Sequence, residues 1–133
     1  VKMTSRRQEL DEAVANLDAA LAERQDLIAA REERGEVLWQ MGAREQATQA
    51  WTEALKLSPN MPLTNYVLAG AAAAQDSAKS AVKYEQKADS VTPNNAHFHW
   101  MLGLRLQNLK FNELAEKRFA RAIELDPSFA SRR

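Results

Sequence analysis

Residues 54–60 read Ala-Leu-Lys-Leu-Ser-Pro-Asn, and residues 122–128 read Ala-Ile-Glu-Leu-Asp-Pro-Ser. The prolines of the two runs belong to a series: Pro59, Pro93 and Pro127 are 34 residues apart. The same step links Ala47, Ala81 and Ala115, and again Ala54, Ala88 and Ala122. It links the aliphatic Leu57, Val91 and Leu125, and the small residues Gly35, Ala69 and Gly103. A sequence period of this length marks a repeat whose unit is a pair of helices.

Each column has a physical reason. Small side chains at Gly35/Ala69/Gly103 in the first helix and Ala47/Ala81/Ala115 in the second let the two backbones approach, so that ridges enter grooves. Ala54, Ala88 and Ala122 lie later on the second helix, where the next unit must be admitted. Trp51 and Phe119 precede that alanine by three residues and supply large apolar area. Each proline ends its unit, because it disfavours helix in the residue before it and cannot continue one itself.

With these columns in view, the chain resembles the tetratricopeptide-repeat family, whose unit is a 34-residue helix–turn–helix. The resemblance covers residues 28–127. It extends backward over residues 10–21, Leu-Asp-Glu-Ala-Val-Ala-Asn-Leu-Asp-Ala-Ala-Leu, as the second helix of a preceding unit. It implies an all-α fold, a right-handed α-α superhelix of antiparallel helix pairs. The implied organisation is one domain over 1–133, with a half repeat 6–27 and repeats 28–61, 62–95 and 96–129. Such a scaffold serves many functions, so the fold alone does not choose among them.

The pattern predicts helices at 6–24, 28–41, 44–57, 62–74, 77–90, 95–108 and 111–125. Gly42 is expected as a C-terminal cap, Asp76 or Ser77 and Asn94 or Asn95 as N-caps, and Pro62 in the first turn of its helix. Three departures from the family pattern stand out. The aromatic expected early in the first helix is replaced by Arg31, Asn65 and His99, and the leucine three residues later is Arg34 in the first unit. No Gly or Pro except Gly35 lies between Leu21 and Trp39, so residues 6–41 read either as two antiparallel helices or as one continuous helix. Leu10, Val14, Leu17 and Leu21 have the spacing of a coiled-coil seam as well as that of a packed helix. Both ends look uncapped, with Phe129 just past the last proline, which suggests flanking protein or a second copy.

In this family the first helices line the concave side of the stack. Transferring the family's groove positions gives Ala29, Glu32, Glu36 and Trp39 in the first unit. The second gives Leu63, Tyr66, Gly70 and Ala73, and the third His97, Trp100, Leu104 and Gln107. Co-chaperone members hold a C-terminal carboxylate with Lys, Arg and Asn at such places, and none of these positions carries Lys or Arg. The expected site is therefore Glu32, Glu36, Trp39, Leu63, Tyr66, His97, Trp100 and Leu104, with Tyr66 and Trp100 as aromatic anchors for an apolar or amphipathic segment. Burial of these rings by the protein itself, by a second copy, or as plain core after a shift of register by one, is the competing reading.

Little else in the chain points to chemistry. It has 133 residues, 45% hydrophobic and 27% charged, without cysteine. Disulfides, thiolate metal sites and cysteine nucleophiles are thereby excluded. The 18 basic and 18 acidic residues balance, which argues against a bulk polyanion partner. The distribution is uneven: residues 1–27 carry 4 basic and 6 acidic side chains, and residues 96–133 carry 7 and 4. Arg132 and Arg133 read as a solvated basic tail. His97 and His99 are two apart on a helix and face different sides, unlike a helical metal pair. Glu32, Glu33 and Glu36 read as a solvated face, and no phosphate loop or activated nucleophile is present. The expectation is a protein-binding scaffold rather than an enzyme, without cofactor or metal. Its expected partner is another protein or peptide, possible homo-oligomer included, with no nucleic acid and no direct membrane insertion. The alternatives are a self-associating element acting through uncapped ends or the N-terminal helix, and a regulatory segment of a larger enzyme. Nothing resembles a membrane span or a signal peptide. The reading is a soluble chain, cytoplasmic or periplasmic. Val1 in place of Met suggests a piece of a longer protein from which an upstream segment has been removed.

Overall fold

The computed structural model describes residues 2–132, with side chains from residue 5 onward; Arg133 of the basic tail lies outside the described residues. The fold is all-α. Among the described residues seven helices follow in order: α1 Lys2–Glu23, α2 Ile28–Gln40, α3 Arg44–Leu57, α4 Pro62–Ala74, α5 Ala78–Val91, α6 Ala96–Asn108 and α7 Asn112–Leu125. A 3-10 turn, Pro127–Arg132, closes the series. The chain divides into two compact units, Val1–Asn60 and Met61–Arg133.

The corners explain the period. Gly42, Asp76 and Lys110 each have positive φ, at 86°, 59° and 70°, and they stand 34 residues apart. Each follows a helix end and is held by the same pair of bonds. Gly42 N donates to Trp39 O and Ala43 N to Leu38 O; Asp76 N donates to Ala73 O and Ser77 N to Ala72 O; Lys110 N donates to Gln107 O and Phe111 N to Leu106 O. These bonds use carbonyls that the helix end leaves unpaired and reverse the chain in three residues. Asp76 therefore serves as a left-handed corner and not as an N-cap, and Ser77 caps α5 without a side-chain bond. Asn95 does cap α6: its side chain accepts from Phe98 N at 2.8 Å. The prolines occupy equivalent places. Pro59, Pro93 and Pro127 each follow the extended C-cap of α3, α5 or α7, namely Ser58, Thr92 and Asp126. Pro62 opens α4.

Residues 6–41 form two antiparallel helices, not one. The reversal adds side-chain bonds to a backbone bond from Leu27 N to Arg24 O. Arg24 binds Asp26 at 3.2 Å, and Arg31 Nε donates to the Gln25 carbonyl at 2.9 Å. The two arginines on the packed face of α2 are thus accommodated: Arg31 also pairs with Glu53 of α3 at 3.1 Å, and Arg34 pairs with Asp18 of α1 at 2.6 Å. The core of this unit centres on Trp51, which is fully buried with Ala47 and Ala54. A Cβ added at Gly35 would overlap the Trp51 ring, so the ring occupies the space that a side chain there would need. The Trp51 indole N–H donates to the Glu32 carbonyl at 3.2 Å.

In the second unit α4 packs on α5 and α6, and α6 on α7. Tyr66, Val67, Leu68, Leu102, Leu106, Leu109, Ala115, Phe119 and Ala122 form its core. Gly103 meets Phe119 as Gly35 meets Trp51: a Cβ at Gly103 would lie 2.6 Å from the ring. Ala54, Ala88 and Ala122 are all fully buried, the close-packed points that their column implies. The end of this unit differs from expectation: the 3-10 turn buries Phe129 against Trp100, ring centroids 5.7 Å apart. Arg132 is not merely solvated, since its guanidinium lies 3.9 Å from the Phe129 ring centroid.

Candidate functional site

Helix α6 has two unlike sides. His99, Trp100, Leu102, Gly103 and Leu106 are buried. On the other side Phe98, Met101 and Leu104 remain 37%, 44% and 42% exposed. Spacings of three and four place these residues and the exposed His97 along one strip of the helix. Large apolar side chains are rarely gathered on a free surface without a contact role.

The transferred groove positions fare differently from one another. His97 and Leu104 are exposed and share the α6 strip. The expectation that Tyr66 and Trp100 present their rings as anchors is corrected. Tyr66 is 0% exposed; its hydroxyl donates to Asp89 at 2.5 Å, and the Arg118 guanidinium lies 4.6 Å from its ring centroid. Burial first, and then the bond to Asp89, push the phenol well above its ordinary pKa. Trp100 is 8% exposed, packed on Phe119 at 4.6 Å and closed over by Phe129. Trp39 is buried beside Trp51, 5.8 Å between centroids, and Leu63, Glu32 and Glu36 are buried as well. Glu32 and Glu36 therefore do not form a solvated acidic face.

A sequence signal for these placements exists. Glu32, Tyr66 and Trp100 each stand three residues before the small residue of their helix, Gly35, Ala69 or Gly103. Residues three apart share a helix face, so they face the partner helix that the small residue admits. Phe98 and Met101 were missed because they fall between the transferred positions.

Each unit also carries a polar cleft. In the first, about 370 Å³ is lined by Asp18, Leu21, Arg31, Arg34, Gln46, Gln49, Ala50 and Glu53, and its two arginines are the ion-paired Arg31 and Arg34. In the second, about 280 Å³ is lined by Asp89, Thr92, Asn94, His99, Arg118 and Arg121. Here Arg118 pairs with Asp89 at 3.4 Å and meets His99 Nδ1 at 3.3 Å. A guanidinium only donates, so Nδ1 accepts and the imidazole proton is on Nε2; the ring also bonds the Pro93 carbonyl. Burial, with Arg118 and Arg121 alongside, holds His99 below its ordinary pKa, so it stays neutral near pH 7. Arg121 donates to Asn94 Oδ1 at 3.2 Å and to Glu124 at 2.9 Å. Among the described residues, no group of three His, Cys, Asp or Glu is placed to hold a metal ion. No described helix is long and apolar enough to cross a membrane.

No family model matches the sequence, and no curated protein matches it. Solved structures do match in fold. A crystal structure of MamA superposes with a TM-score of 0.62 at 18% identity, over 92% of this chain and 71% of that one. A second MamA crystal structure gives 0.61 at 17% identity, over 96% and 70%. MamA 41-end from Desulfovibrio magneticus RS-1 gives 0.60 at 21% identity, over 91% and 68%. The likeness is one of fold, and the paired helices fit a tetratricopeptide-repeat-like architecture.

Proposed function

We propose that the chain is a protein-binding module and that α6 holds an apolar or amphipathic helical segment of a partner. In this reading the chain is one tetratricopeptide-repeat domain, a half repeat 6–27 followed by repeats 28–61, 62–95 and 96–129, and α6 is the first helix of the last repeat. The observation that carries the proposal is the exposed strip Phe98, Met101 and Leu104 on a helix whose other side is packed. An amphipathic helix laid against such a strip buries the apolar side chains of both. Met101 adapts its shape to the incoming side chains, and His97 supplies a polar edge. The buried Tyr66, Trp100, Trp39, Leu63, Glu32 and Glu36 shape the scaffold in this reading and do not touch the partner.

The test is a comparative capture with the whole chain as bait. Met101→Asp combined with Leu104→Asp is expected to lose the partner retained by the wild type, weakening binding by roughly 30-fold or more if the pair contributes about 2 kcal/mol. Val82→Asp, at an exposed apolar site on α5, is the control and keeps the partner. Circular dichroism confirms that all three chains are folded. Equal capture by the double variant ends the proposal. Sedimentation of the chain alone then separates the two kinds of occupant, since a second copy on α6 gives a concentration-dependent dimer that the double variant abolishes.

A further inference from the structure

We infer that the cleft of the second unit binds a carboxylate carried by a partner peptide, with Arg118 and Arg121 as the groups that hold it. This site is lined by α7, the segment 92–95, Asp89 of α5 and His99 on the buried side of α6, away from the exposed α6 strip, and stands or falls independently of it.

The two arginines are one helical turn apart on α7 and line the same 280 Å³ cleft. Both are positioned before any ligand arrives. Arg118 is 8% exposed and fixed from three sides by Asp89 of α5, His99 of α6 and the Tyr66 ring of α4. Arg121 is steadied by Asn94 of the loop. Side chains already held in place lose little freedom on binding.

The cleft has more donors than acceptors. Each guanidinium carries five N–H groups. The partners they bond are one carboxylate oxygen of Asp89, one nitrogen of His99, one oxygen of Asn94 and the exposed Glu124. Arg118 Nε, buried without a hydrogen-bond partner, is closed to solvent and is not one of the donors a ligand meets. His99 cannot absorb the surplus, because a neutral imidazole has a single acceptor nitrogen and Arg118 already meets it. Arg121, 38% exposed and in the lining, presents N–H groups that suit an oxyanion, and the planar fork of arginine matches a carboxylate. Asp89 selects among anions. With one fixed negative charge in the lining, a monoanion is accepted more readily than a dianion, which favours a carboxylate over a phosphate. Glu124 is no obstacle, since an exposed ion pair between neighbours on one helix is weak.

The first unit supplies the contrast. Leu21, Arg31, Ala50 and Glu53 stand 68 residues before Asp89, His99, Arg118 and Arg121. In that cleft the ion pairs Arg31–Glu53 and Arg34–Asp18 leave no charge over. The donor excess is thus a property of the side chains in the second unit and not of the repeat geometry.

Three probes are titrated into the isotope-labelled chain and followed by amide NMR. They are a blocked peptide with one glutamate and an amidated end, a peptide without acidic side chains but with a free C-terminus, and inorganic phosphate. Saturable shifts clustered at residues 92–95 and 117–122 with either peptide support the site, and which peptide binds tells whether the carboxylate is a side chain or a chain end. Arg121→Gln, a half-buried position whose loss leaves the core intact, weakens that binding by about tenfold, the worth of one charge-assisted bond; Arg118→Gln abolishes it. The inference is overturned if phosphate alone saturates, if neither peptide does, if Arg121→Gln binds as the wild type does, or if replacing the glutamate by glutamine leaves the first peptide's shifts unchanged.

Discussion

A methyl group added at Gly103 would lie 2.6 Å from the Phe119 ring, closer than carbon atoms tolerate. The ring cannot simply swing aside, because Trp100 packs on it at 4.6 Å and Phe129 packs on Trp100. Gly103→Ala is therefore expected to lower stability by ~1–3 kcal/mol, the usual cost of overpacking; the urea midpoint measures it, and an unchanged midpoint would show that the aromatic stack yields. At this scale the sequence was half legible. The glycine and alanine columns announced where backbones approach, and all but the half-buried Ala81 are buried where the period put them. Tyr66 and Trp100 were legible too, from their offset of three before the small residue, but positions transferred from the family pointed the other way. Arg118 was not. Its burial depends on Asp89, His99 and Tyr66, which lie on three other helices, and nothing local in residues 112–125 marks it as a core residue.

The corners belong to the scale of the element. Gly42, Asp76 and Lys110 adopt one backbone conformation with three different side chains. A residue with a Cβ is strained there by roughly 1–2 kcal/mol relative to glycine, partly offset by the greater freedom glycine brings to the unfolded chain. Lys110→Gly is accordingly expected to stabilise by ~0.5–1 kcal/mol, a rise of a few degrees in the calorimetric midpoint, while Gly42→Ala shifts it down by a similar amount. A fall with Lys110→Gly would mean that the lysine side chain, not its backbone, secures the corner. Of these corners only Gly42 was expected from the sequence; Asp76 was expected as an N-cap, and Lys110 carries no turn signal of its own. The reversal between α1 and α2 had no such signal either, because the sequence signals for a turn are Gly, Pro and Asn, and this turn combines a backbone bond from Leu27 N to Arg24 O with side-chain bonds of Arg24, Asp26 and Arg31. Arg31 and Arg34 are accommodated on a face the pattern reserves for apolar residues because Glu53 and Asp18 pair with them.

For the molecule as a whole, charge is the governing quantity. The formal net charge is zero at pH 7 and the sequence pI is about 6.9, so long-range repulsion between copies vanishes near neutrality. The surplus of acids in residues 1–27 and of bases in residues 96–133 then favours attraction at low salt. Light scattering is expected to show the most attractive interaction between chains near pH 7, relieved by raising salt to about 0.15 M, where the screening length falls to about 8 Å. Scattering that is flat from pH 5 to 9 would remove electrostatics from any account of self-association. The all-α class and the helix boundaries were readable because they rest on period, while the polar clefts rest on pairings across helices that no period encodes. The tryptophans carry a practical consequence. Trp39, Trp51 and Trp100 are all interior, so the natural emission of this chain works as a gauge of its integrity. It stays dark to occupancy, and an optical assay for docking on α6 needs a dye attached somewhere along that helix.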